Sequence, residues 1–216
     1  MITTLKVDAS DLPDTPYNLW VRGELEAYVD APEGSRIEII GGEIVVSPGP
    51  TFEHDTIVKD LLRALTRAEL SIPDFPWTGI TTGLSLVGVG DGYIPDLMML
   101  DEEIYRAARQ ARINILLPDQ VELVVEVTSP SNAANDRLPT RAHPNNKWNG
   151  YAAAEIPYYL LVDRSPKRAR SILYSIPNQA TAAYLHSDEW EFGETIHLPD
   201  PLDLEIDTGL WLPWKD

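Results

Sequence analysis

Apolar positions along the chain recur with two periods, and each switch between them marks an element boundary. A loose lead-in with a short helix is expected around YNLWVRGELEAYV, residues 17–29. RIEII and EIVVSP then alternate on either side of Gly41-Gly42, which predicts a β-hairpin. In TFEHDTIVKDLLRALTRAEL, His54, Val58, Leu61, Leu62 and Leu65 share one helical face, and the following IPDFP ends the helix. GITTGLSLVG and YIPDLMML predict two strands bracketing a glycine turn, DEEIYRAARQAR a helix with basic residues, and VELVVEV a further strand. A Ser-, Pro- and Asn-rich loop follows, then a helix around KWNGYAAAE, a strand in YYLLVD, and several β runs separated by turns. This order predicts an α/β protein: a central mixed sheet flanked by helices, with an N-terminal hairpin and a β-rich C-terminal extension. No linker, repeat or low-complexity tract divides the chain, so residues 1–216 are expected to form a single domain, with 1–16 as the loose lead-in.

The strand VELVVEV breaks its own apolar pattern. Val121, Leu123, Val125 and Val127 share one face, and Glu122, Val124 and Glu126 the other. Two nearly apolar faces describe an inner strand covered on both sides. Glu122 opens the strand, where solvent can satisfy it. Glu126 closes it, and a carboxylate there is costly unless something pairs with it. Asp96 opens the preceding apolar run, IPDLMML. On neighbouring strands the two acids would face one another and repel unless a cation lay between them. Taken singly, each has a plainer explanation: Asp96 could cap a turn, and Glu126 could pair with Arg137 or Arg141. Taken together, they favour a site.

Composition narrows the chemistry. The chain has no cysteine, which removes disulfides, thiol nucleophiles and Cys-based zinc sites. Its four histidines, His54, His143, His186 and His197, form no HxxxH pair. Any metal must then be held mostly by oxygen, which favours Mg²⁺ or Mn²⁺. The N-terminus is not an apolar leader and no apolar run reaches membrane-spanning length, so a cytoplasmic protein without a membrane partner is expected. The net charge of −17 opposes approach to a polyanion. It is unevenly spread, however. Residues 101–170 hold 10 of the 17 basic and 9 of the 34 acidic residues, near +1, leaving 7 basic and 25 acidic elsewhere, −18. Any basic surface must come from the middle of the chain.

IPD, then VELVVEVTSPS, an Asp soon after, Lys and Tyr four apart, and IPYYLLVD together resemble the Uma-two family of restriction-endonuclease-like proteins, within the PD-(D/E)XK nuclease superfamily. The likeness takes in RIEIIGGEIVVSPGP, His54 at a helix start and GETIHLPDPLDLEIDTGLW, over roughly residues 17–211. The resemblance implies a phosphodiesterase acting on DNA with Mg²⁺ or Mn²⁺. Asp96 and Glu126 would hold the metal, with a backbone carbonyl near Val127 as a further ligand. It also implies a cation to orient the attacking water. The superfamily keeps that lysine two residues after the acid, where this chain has Thr128. Lys147 on the next helix is the matching candidate, with Tyr151 at i+4 on the same face. RLPTRAHPNN separates Asp136 from Lys147, and Arg141 within it is the alternative cation. His54 and Glu38 complete the implied catalytic set, beside plainer roles as a satisfied core histidine and a cross-strand ion-pair partner.

Two features are set aside. GVGDG joins two strands and opens no helix, so it is expected to be a hairpin turn and not a phosphate cradle. Trp148, Trp190, Trp211 and Trp214 lack interleaved basic residues and are expected to be packing or interface residues. Three functions then compete: a metal-dependent endonuclease, with a homodimer expected for cutting two strands; a catalytically inactive nuclease-fold protein that binds or oligomerises; and a carboxylate-pair hydrolase of sugars. The last is disfavoured, because an apolar inner strand leaves little room for sugar-binding groups.

Overall fold

The computed structural model describes residues 12–215; residues 1–11 of the expected lead-in lie outside them. Helix α1 (Pro16–Val21) is capped by Thr15 and ends before Gly23, whose φ of +69° leaves the helical region. The helix expected over residues 17–29 is thus shorter, and Leu25–Tyr28 forms a separate 3-10 turn. Strands β1 (Arg36–Ile40) and β2 (Glu43–Ser47) form the expected hairpin, with both Gly41 and Gly42 at positive φ. Helix α2 (Phe52–Ser71) is capped by Thr51 and buries the stripe His54, Ile57, Leu61, Ala64, Leu65 and Ala68.

The two runs expected as single strands each divide. GITTGLSLVG, with Trp77 and Thr78 before it, yields β3 (Trp77–Ile80) and β4 (Gly83–Leu86); YIPDLMML, with Asp91 and Gly92 of the expected turn, yields β5 (Asp91–Tyr93) and β6 (Leu97–Asp101). Pro95 has no N–H to donate to a ladder, so the chain leaves one sheet before it and joins another after it. Helix α3 (Glu102–Ala111), β7 (Ile115–Leu116), β8 (Leu123–Val127), the short α4 (Ala133–Asp136), α5 (Lys147–Ala153) and β9 (Tyr158–Asp163) follow. The chain closes with β10 (Arg170–Asn178), β11 (Ala183–Glu191), β12 (Thr195–Leu198) and β13 (Leu204–Asp207).

The expected central mixed sheet is present, and the described residues form a second sheet and a two-stranded ribbon as well. A six-stranded mixed sheet runs β11-β10-β9-β8-β6-β3, with β8 and β9 parallel; a five-stranded sheet runs β2-β1-β5-β4-β7; and β12 pairs with β13. Strand β8 is an inner strand, as expected. Leu123, Val125 and Val127 pack under α2, while Val124 packs with α5 residues Trp148, Tyr151 and Ala152. Helices therefore cover both faces. In β1 the same alternation sends Ile37 and Ile39 into a third cluster with α1, and turns Arg36 and Glu38 the other way. Among the described residues no helix is long and apolar enough to cross a membrane.

Two contacts tie the five-stranded sheet together and seat it against α5. The expected hairpin turn lies at residues 87–90, and Asp91, which opens β5, accepts through its carboxylate the N–H groups of Gly41 at 2.8 Å and Gly42 at 2.9 Å and the Tyr93 hydroxyl at 2.7 Å. The Tyr93 ring then fits edge-on against Tyr151 and over Gly150 of α5, where a Cβ would lie 2.1 Å from the Tyr93 oxygen. Gly150→Ala should therefore push α5 off its seat. The expected loss is about 1–3 kcal/mol, a melting temperature lower by several degrees, measurable by calorimetry; an unchanged melting temperature contradicts this packing.

Candidate active site

The register of β6 on β8 pairs Leu97 with Val125, so one step further Asp96 stands opposite Glu126. Both side chains are buried and line a cleft of about 580 Å³ whose floor also holds Arg36, Glu38, His54 and Lys147. The floor has two linked halves.

In the first, Asp96 Oδ2 accepts the Val127 backbone N–H at 2.8 Å and His54 Nε2–H at 2.9 Å, and Oδ1 takes a hydrogen bond from the Arg36 guanidinium. Burial pushes the Asp96 carboxyl toward protonation, but His54 and Arg36 outweigh it and hold the group at about 2. For His54, burial disfavours the charged ring, yet Asp96 outweighs that and raises its pKa. Thr51 caps α2 and so places His54 at the helix start; its Nδ1 is buried, 3.5 Å from Asp55, and has no hydrogen-bond partner among the described residues.

In the second half, the Lys147 ammonium lies 2.8 Å from Glu38 and 2.9 Å from Glu126, with Asp136 at 4.0 Å. Tyr151 donates to the same Glu126 oxygen at 2.5 Å, which is what the i, i+4 spacing on α5 allows. Glu38 also accepts the Ile94 N–H at 2.7 Å, and the ammonium stands 5.9 Å from the centre of the Tyr93 ring. Lys147 is 3 % exposed: burial works against its charge, but Glu126 and Glu38 outweigh it and hold its pKa above the ordinary lysine value. Burial raises Glu126 well above the usual carboxylate range, with Lys147 pulling the other way. Burial likewise lifts Asp136 to about 7. Asp136 Oδ1 has no hydrogen-bond partner among the described residues.

The loop RLPTRAHPNN, non-helical as its prolines require, nonetheless delivers Lys147 to Glu126. Asn146 caps α5 by accepting the Asn149 N–H, and its side-chain amide donates to the Arg137 carbonyl at 2.6 Å. Arg141 is exposed and lies outside the cleft, so it supplies no cation there. Arg137 does not meet Glu126 but grips buried Asp163 with two bonds, at 2.8 and 2.6 Å. Trp148 and Trp211 are buried packing residues, whereas Trp214 lines the cleft.

A family model described as "Putative restriction endonuclease", Uma2, matches residues 24–211. The chain belongs to the Uma2 family. A solved structure described as a putative nuclease from Anabaena variabilis ATCC 29413 matches with a TM-score of 0.53 and 16% identity, covering 82% of this chain and 88% of that one. At that identity the match shows a shared fold, which is restriction-endonuclease-like. No curated protein matches the chain.

In this Uma2 member, Thr128 occupies the place two residues past Glu126. Its side chain is buried and accepts the Arg164 N–H at 2.9 Å, a structural bond between the ends of β8 and β9. Arg36, which sequence reasoning did not place in the site, was signalled only by sharing the face of Glu38 in β1.

The charges make stability depend on pH. Asp96, ionised more readily folded than unfolded, contributes stability above 3.8 that is lost as pH falls toward about 2. Asp136 acts in the opposite direction: its contribution is lost as pH rises from 3.8 to about 7. Lys147→Met would remove the ammonium that Glu38, Glu126 and Asp136 share. In metal-free buffer it should cost about 3–5 kcal/mol near neutral pH and above, and clearly less at about pH 5, where the raised carboxyls hold protons. Urea denaturation at the two pH values checks this; an equal loss at both contradicts it.

Proposed function

We propose that this protein is a metal-dependent endonuclease that hydrolyses phosphodiester bonds of DNA, with Asp96 and Glu126 holding Mg²⁺ or Mn²⁺. The observation that carries the reading is the buried Lys147 ammonium, bonded to Glu126 on the same cleft floor as Asp96. The donor set suits a hard cation. It is all oxygen and lies on adjacent strand ends, Asp96 beside the start of β6 and Glu126 near the end of β8. Among the described residues no three His, Asp or Glu side chains gather tightly enough to hold an ion by themselves. Asp96 and Glu126 would share it with backbone and water oxygens, the mode that Mg²⁺ prefers.

When bound, such an ion supplies a more acidic water and neutralises phosphoryl charge. The chain's own residues do the rest. Lys147, held protonated, donates a hydrogen bond to the attacking water or a phosphoryl oxygen and does not serve as a base. Glu38 and Tyr151 fix the ammonium and Glu126 in place, and His54 and Arg36 keep Asp96 ionised and oriented.

One observation favours a second reading, a nuclease fold that binds without cutting: both oxygens of Asp96 are already held by Arg36, His54 and the Val127 N–H. One assay separates the two. The protein is incubated with supercoiled DNA and Mn²⁺ or Mg²⁺, beside Asp96→Asn, Glu126→Gln and Lys147→Met shown to be folded. The endonuclease reading expects nicking that falls at least about 100-fold in each variant. Nicking that survives in both acid variants, or none by the wild type, contradicts it.

A further inference from the structure

One wall of the cleft has no part in the chemistry above. After β13 the chain returns across the cleft, and Leu212, Pro213, Trp214 and Lys215 line it. These residues lie beyond the part of the chain that the Uma2 model matches. Arg164 ties the strap down. Its carbonyl accepts the Trp214 N–H at 3.0 Å, and its Nε donates to the Leu212 carbonyl at 3.3 Å. Thr128 holds the Arg164 backbone from the other side.

Arg164 is only 3 % exposed and lines the cleft, yet among the described residues no carboxylate forms an ion pair with it. Glu53, exposed in the first turn of α2, acts on it from beyond ion-pairing distance. The other floor cations are taken: Arg36 by Asp96, and Lys147 by Glu38 and Glu126. A buried guanidinium with a single carbonyl acceptor is a charge short of a partner, and its planar fork suits a phosphate. Beside it the walls are apolar, formed by Pro48, Pro50, Pro130, Pro213 and the half-buried Trp214.

We propose that Arg164, Lys215 and Trp214 form a strand-binding subsite that takes a backbone phosphate and an unpaired base of a nucleic-acid strand next to the carboxylate cluster. The identity of the anion rests on the phosphodiesterase reading. An unpaired strand fits better than a duplex for two reasons. Base faces, which a duplex hides, are what an apolar wall with an indole can stack. A net charge of −17 also denies the protein the broad cationic footprint by which duplexes are gripped.

The test is binding without cleavage, by fluorescence anisotropy of the full chain in EDTA at low salt. The probes are a labelled oligothymidylate of about 12 nucleotides, within the usual site size, and a blunt duplex of the same length. The strand should bind more tightly than the duplex. Trp214→Ala and Lys215→Gln should each weaken strand binding about tenfold, and Arg164→Lys should retain more of it than Arg164→Gln. Should Arg164→Gln fail to fold, the Trp214 and Lys215 variants decide, since those side chains are not buried. Strand binding unchanged in both, or a duplex bound as tightly as the strand, overturns the subsite. Binding lost in the variants while the wild type cuts nothing keeps the subsite and removes the endonuclease. Cutting with unaltered binding in the variants does the reverse.

Discussion

A buried ammonium surrounded by carboxylates sets the geometry of the cleft. Lys147 lies within 4.0 Å of Glu38, Glu126 and Asp136, which come from β1, β8 and α4. None of these charges is tolerable alone at such depth, so each element is held where it meets the others. The packing around them serves the same end. Tyr93 presses on Gly150, Tyr151 bonds Glu126, and the Tyr159 hydroxyl donates to the Asp136 carbonyl at 2.7 Å. The two sheets are consequently locked together at the point where β6 and β8 end.

Beside that cluster stands a second one, Arg36–Asp96–His54, and the two have opposite characters. Asp96 is stabilised as an anion, while burial drives Glu126 and Asp136 toward protonation. Neighbouring acids pushed apart in this way mark functional sites, and burial on an inner strand is the means here. A fold built for stability alone would fill the end of β8 with apolar side chains. Keeping three buried carboxylates around one lysine, with Asp96 beside them, makes chemical sense where a further cation joins them.

Much of this was legible in the residues. The alternation in VELVVEV placed Glu126 at the end of a two-faced inner strand, and IPDLMML placed Asp96 beside it. The i, i+4 spacing placed Lys147 and Tyr151 on one helical face, and the structure shows both reaching Glu126. What was not legible depended on partners distant in the chain. Nothing local to GITTGLSLVG shows that its halves belong to different sheets. Glu38 was implied by the family resemblance, but Arg36 had no reason to be counted until the second sheet was docked. Arg164 and Trp214 carry no motif, and only the returning C-terminal strap brings them to the cleft.

The central claim is that Asp96 and Glu126, steadied by Arg36, His54 and Lys147, form a divalent-cation centre. Calorimetric titration of Mn²⁺ into the full chain tests it most directly, alongside Asp96→Asn and Glu126→Gln verified as folded. The account predicts a single site per chain in the wild type, lost in both variants. A folded wild type that binds no ion, or an ion bound equally well in either variant, would contradict it.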